Sequence, residues 1–207
     1  TENTGVDEAW KWNGRAESES GNPQINPNAQ PTMTVTNVTF EGSRGKQKTY
    51  DVYSAAQMRY VLEEVQKDAD NANAYTATVI NVKSDLDFNG ENYNWIPTRY
   101  FWALTINGNG HTFYNICVYR GDDTKDVKDK GITGAFIEFK FKKEMYRIRV
   151  QKSYTKWMKY EFNDITFESF LSVTFYLLGG GVFGYVPERN PGYGSARFGE
   201  THLKNVN

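Results

Sequence analysis

The chain has 207 residues, 24 Lys+Arg against 25 Asp+Glu, 39% apolar residues and a formal net charge of −1. This balance excludes a globally basic nucleic-acid binder and a wholly disordered chain, and no apolar run is long enough for a membrane-spanning helix. One cysteine, Cys117, allows neither an internal disulfide nor a thiolate metal cluster, and two histidines, His111 and His202, leave little for a His-rich metal site.

Residues 1–33 are rich in Asn, Gly, Ser, Pro and Gln, with Trp10 and Trp12 among few large apolar groups. Such a stretch cannot bury enough to fold alone and reads as an extended leader or linker. The alternative is that the two tryptophans anchor it to a partner or to the main body. The first residue, Thr1, reads as the start of a processed or trimmed product. Val35-Thr36-Asn37-Val38-Thr39-Phe40 follows as a strand-like segment.

Residues 54–69 carry a full set of helix signals. Met58, Val61, Leu62 and Val65 fall at i, i+3, i+4 and i+7, one apolar stripe. Ser54 and Gln57 form an S-x-x-Q capping box, and Tyr53 with Met58 is placed as a hydrophobic staple.

Beyond the helix, 76–82, 103–106, 112–119, 146–150, 162–167 and 171–178 are rich in β-branched and aromatic residues. Asn107-Gly108-Asn109-Gly110 is a tight-turn signal that local rules assign to a hairpin. Internal repetition points elsewhere. Phe113-Tyr114-Asn115-Ile116 resembles Phe162-Asn163-Asp164-Ile165, and Leu203-Lys204-Asn205-Val206 begins the pattern again. Gly134-Ala135-Phe136-Ile137 likewise recurs as Gly181-Val182-Phe183-Gly184. Two elements repeated in the same order predict stacked coils. Asn and Asp tolerate the left-handed conformation of a sharp corner, so Asn115, Asp164 and Asn205 are expected to stack at one corner in a polar ladder. Ile116, Val118, Ile165 and Phe167 are then expected to point inward. Whether 35–40 is a first rung or merely a similar strand is open.

The run Ser84-Asp85-Leu86-Asp87-Phe88, Trp95-Ile96-Pro97, Ile106-Asn107-Gly108-Asn109-Gly110-His111-Thr112 and Gly181-Val182-Phe183-Gly184, behind the 54–65 helix and Val79-Ile80-Asn81-Val82, resembles a family of bacterial surface proteins with GLUG-type repeats. The likeness covers residues 50–139 and, in part, 160–207. It departs where Gly134-Ala135-Phe136-Ile137 lacks a second glycine and where residues 140–159 follow no family pattern. The resemblance implies an all-β, right-handed parallel β-helix (solenoid) with an N-terminal amphipathic capping helix, at the surface of a Gram-negative bacterium or secreted from it. The domain division is then 1–33 as leader and 34–207 as the β-helix domain, the N-terminal part of a longer solenoid, with the helix at its end and 140–159 inserted.

The candidate chemistry is sparse. Asp85, Asp87 and Glu91 form a carboxylate cluster that could do acid/base work on a glycoside or hold Ca²⁺, but Asp at turn positions usually satisfies backbone N–H groups. His111 follows a glycine turn with no nucleophile or orienting acid near it in sequence, which favours a turn histidine over a general base. Cys117 has no activating neighbour and reads as inert. No catalytic set, metal site or cofactor is expected.

Between 140 and 159, eight basic residues face the single acid Glu144, a net +7. Lys140, Lys142, Lys143, Arg147, Arg149, Lys152, Tyr154 and Trp157 are the candidate binding residues, because basic groups interleaved with aromatics grip polyanions and stack on sugars. The competing reading is a solvated face with lysines guarding a strand edge. The expected function is non-catalytic adhesion or glycan contact, with a polysaccharide or other anionic surface ligand, outer-membrane protein partners and no nucleic acid. The alternatives are a β-helix polysaccharide lyase or glycosidase, and a structural subunit of a secreted or envelope complex.

Overall fold

The computed structural model describes residues 27–40, 43–70, 75–89, 95, 98, 103–120, 136–139, 160–174, 183–185 and 201–207. A short 3-10 turn at Pro27–Ala29 leads into β1 (Met33–Phe40) and β2 (Ser43–Val52), which pair antiparallel. The segment 35–40 is therefore the first arm of a hairpin and runs against the parallel strands that follow.

Helix α1 (Ala55–Asp70) starts where its sequence signals place it. Gln57 N–H donates to Ser54 Oγ (3.2 Å) and Tyr53 N–H donates to Gln57 Oε1 (2.7 Å), so two otherwise orphaned donors are satisfied. Met58, Val61, Leu62 and Val65 are all buried against the core-facing side of β2 and β3 (Thr76–Val82). Lys48 on β2 closes the last turn of the helix through an ion pair with Asp68 (2.7 Å).

The remaining strands are β4 (Leu86–Asp87), β5 (Ala103–Asn107), β6 (Thr112–Tyr114), β7 (Cys117–Arg120), β8 (Ile137–Phe139), β9 (Tyr160–Glu168), β10 (Leu171–Thr174), β11 (Phe183–Tyr185) and β12 (Thr201–Val206). Every pairing among them, and of β2 with β3, is parallel. They fall into four stacks. The first is β2, β3, β5, the first half of β9, and β12; the second is β4, β6 and the second half of β9; the third is β7 with β10; the fourth is β8 with β11. Thr98 bridges to Ile137 and extends the fourth stack by one residue. From β3 onward the chain visits the stacks in the same order each time. The 107–111 turn does not close a hairpin, because β5 and β6 both pair with β9.

Alternation within strands sets the core. In β5, Leu104 and Ile106 are buried between half-buried Ala103, Thr105 and Asn107. In the first stack Tyr50, Ile80, Ile106 and Phe162 lie side by side in register, one inward column. Ile116, Val118 and Ile165 are buried as expected, and Phe167 packs half-buried against them. Phe88, Trp95, Phe113 and Phe136 fill the interior, with Trp95 stacked on Phe136 (centroids 4.8 Å apart) and edge-on to Phe88 (5.0 Å).

Among the described residues six other than glycine adopt positive φ, and they mark two corners. Asn109, Asp164 and Asn205 turn the chain beyond the first stack; Asn89, Asn115 and Ser169 turn it beyond the second. The expected trio is therefore corrected. Asp164 and Asn205 do stack, with Asn205 Nδ2 donating to Asp164 Oδ1 (2.6 Å), but Asn115 belongs to the other corner, where Ser169 is its counterpart. The local strings around 115 and 164 look alike because both corners need a residue that tolerates the left-handed region. Among the described residues no helix is long and apolar enough to cross a membrane.

Candidate functional site

A cluster of polar side chains stands at the turn that links the first two stacks. Asp85 precedes β4 and His111 precedes β6; because β4 and β6 pair in register, the two side chains meet. His111 Nδ1 lies 3.1 Å from Asp85 Oδ1, and the same oxygen accepts the Thr112 N–H (2.9 Å). The Thr112 hydrogen bond, then His111, hold the Asp85 carboxyl below its ordinary pKa. Asp87 Oδ1 accepts the Asn89 N–H (2.9 Å) and Asn115 Nδ2 (3.1 Å). Both carboxylates thus do what turn aspartates do, satisfying backbone donors at corners. The structure adds what sequence spacing concealed: an acid that orients His111, brought from 26 residues away.

A second polar array runs across the first stack. Asp51, Asn81, Asn107 and Asn163 occupy equivalent positions on four neighbouring strands. Asn81 Nδ2 donates to Asp51 Oδ1 (3.3 Å), Asn107 Nδ2 to Asn81 Oδ1 (3.0 Å) and Asn163 Nδ2 to Asn107 Oδ1 (3.1 Å). A ladder of this kind satisfies each half-buried amide with its neighbour and fixes strand register, since a one-residue slip would break it and turn the column over. The sequence places a polar ladder at the left-handed positions, where the Asp164–Asn205 pair forms; this longer one runs across the ends of the strands instead. Its signal was the apolar-then-Asn/Asp ending shared by Tyr50-Asp51, Ile80-Asn81, Ile106-Asn107 and Phe162-Asn163.

Arg59 is a buried charged residue that the helical pattern does not single out. It sits on the buried side of α1, four residues after Ala55 and three before Leu62, inside the apolar stripe. Its guanidinium lies 4.9 Å from the Trp95 ring centroid and pairs with Glu63. That cation–π contact ties the helix to the interior. Trp95 is itself fixed, its Nε1 donating to the Phe136 carbonyl (2.9 Å) and its N–H to the Cys117 carbonyl (2.7 Å).

Cys117 is half-buried, and burial raises its thiol pKa, which disfavours the reactive thiolate. Among the described residues no three His, Cys, Asp or Glu side chains converge on a metal-sized space. Glu91, Trp10, Trp12 and the whole candidate binding set, Lys140, Lys142, Lys143, Arg147, Arg149, Lys152, Tyr154 and Trp157, lie outside the described residues. No protein-family model, curated protein or solved structure matches the chain.

Proposed function

We propose that this chain is a right-handed parallel β-helix of the GLUG-repeat kind, acting without catalysis at a Gram-negative cell surface or outside the cell, where it contacts a polysaccharide or another anionic surface ligand. The observation that carries the reading is the recurrence of four parallel stacks in one order, turned at two corners by left-handed Asn, Asp and Ser. Stacked coils give long, flat faces suited to extended ligands. The basic element at 140–159, with +7 in a chain of net −1, supplies the attraction for an acidic ligand, and outer-membrane proteins are the partners the resemblance favours. The test is retention of the chain on immobilised heparin, as a sulfated polysaccharide probe, across a salt gradient. Retention should fall steeply with salt, because exposed charges are screened over about 8–10 Å near physiological ionic strength. Joint replacement of Lys140, Lys142, Lys143, Arg147 and Arg149 by Gln should abolish it. No retention by the parent, or unchanged retention by the variant, would refute the site.

A lyase or glycosidase is the second reading, favoured by one observation: Asp85 orients His111 as an acid orients a general base. Depolymerisation of an acidic-polysaccharide panel, with and without Ca²⁺, decides it. Cleavage by the parent that His111→Ala removes would replace the non-catalytic reading.

A further inference from the structure

β1 ends the sheet on the side away from β12. Its eight residues, Met33-Thr34-Val35-Thr36-Asn37-Val38-Thr39-Phe40, include no charge and no proline. They pair with β2 through consecutive partners from Met33–Tyr50 to Phe40–Ser43, so no bulge bends the strand. Edge strands are normally guarded against other chains by short length, charge, proline, a bulge or a covering element. Among the described residues β1 has none of these: no strand pairs with its outer side, and Thr34, Val35, Thr36 and Asn37 are exposed.

The backbone shows which groups are open. Asp51 N–H donates to the Thr32 carbonyl (3.3 Å), directly opposite in this register. Thr34, Thr36 and Val38 therefore direct their N–H and C=O groups to β2, whereas Met33, Val35, Asn37 and Thr39 direct theirs to the open edge.

We propose that this edge docks a second copy of the chain, β1 against β1 antiparallel, about a twofold axis at Thr36. That register pairs all four open residues: Met33 of one copy with Thr39 of the other, and Val35 with Asn37. Thr36 meets itself. A strand without charge sets no like charges opposite one another in such a pair. The nearest exposed cations, Arg44 and Lys46, stand one strand back on β2. Across the seam they are at least three strand spacings from their counterparts, roughly 14 Å or more, beyond the screening length of about 8 Å. An edge that carries no charge has nothing with which to select a charged partner, and an isologous contact is the commonest way for a soluble chain to close such a surface.

The test uses the full chain. Sedimentation equilibrium should show a dimer whose fraction rises with concentration. Val35→Lys, which places a charge on the edge, should weaken it about tenfold or more while leaving the thermal midpoint within a few degrees. In a Cys117→Ser background, Thr36→Cys should form a disulfide-linked dimer on mild oxidation. A residue on the axis of a non-hydrogen-bonded antiparallel pair meets itself at a Cα separation of about 4.5 Å, within the range a disulfide spans. Thr34→Cys, two residues off the axis on the same face, should cross-link far more slowly. A monomer at concentrations on the order of 1 mM, or equal cross-linking at 34 and 36, overturns the proposal. So does slow hydrogen exchange of the Met33, Val35, Asn37 and Thr39 amides in dilute monomer, because the chain itself would then cover the edge.

Discussion

At Gly108 the corner between β5 and β6 lies tight against the next strand. A Cβ built there overlaps the carbonyl oxygen of Asp164 and stands 2.5 Å from Ile165 Cγ1 and 2.9 Å from the Asp164 carbonyl carbon. Two of the three obstructions are backbone, so no rotamer change relieves them. The corner and β9 must separate by roughly half an ångström or more to bring the Ile165 contact to 3.0 Å. Two backbone hydrogen bonds cross that gap, Gly108 N–H to Asn163 O (2.7 Å) and Gly110 N–H to Asp164 O (2.8 Å). Overpacking costs about 1–3 kcal/mol, and weakening the two bonds adds about 1 kcal/mol each, so Gly108→Ala should destabilise by about 3–5 kcal/mol. At about 2–4 °C per kcal/mol for a chain of this size, the midpoint should fall by about 6–20 °C. Gly110→Ala is the matched control. Nothing lies within 4 Å of its Cβ, but its φ of +80° strains any L side chain, at a cost of about 1–2 kcal/mol. Circular-dichroism melts of both variants beside the wild type check the pair. If Gly108→Ala is no less stable than Gly110→Ala, the close approach of corner and strand is not what constrains Gly108.

Val61 is fully buried on the inner side of α1, so Val61→Asp leaves an unpaired carboxylate in the core and should cost about 3 kcal/mol or more; an unchanged melting temperature would show that the helix does not seal that surface. Asp85 carries a pH signature. Its folded pKa is the lower one, depressed from the ordinary 3.8 first by the Thr112 N–H and then by His111, so its contribution is complete above the unfolded value and vanishes as pH falls through the folded one. The side chain is largely exposed, which keeps the effect below about 1 kcal/mol. Wild type should exceed Asp85→Asn in stability at about pH 6, and the two should converge by about pH 2–3; urea titrations at both pH values that show the gap widening on acidification would refute the pairing.

Local chemistry was legible wherever a single segment decided the outcome. The helix start, its buried stripe and the inward residues Ile116, Val118 and Ile165 follow from capping and periodicity, which operate within one or two turns of chain. That Asn115, Asp164 and Asn205 are left-handed also follows from sequence, since few side chains other than Asn and Asp tolerate that conformation. Which of them stack together did not, because both corners call for the same residue type and only long-range pairing separates them. Leu203 does align with Phe162 as the repeat suggests, but Phe113 aligns with Phe167, where its local string matched Phe162. The earlier corner is two residues longer than the later one, and a difference in turn length shifts every register beyond it without altering the strings on either side. The Asp85–His111 contact, the Asp51-to-Asn163 ladder and the Arg59–Trp95 stack are likewise products of tertiary structure. Each joins groups far apart in sequence, and their spacing is set by the stacking of strands, a distance that no segment encodes alone.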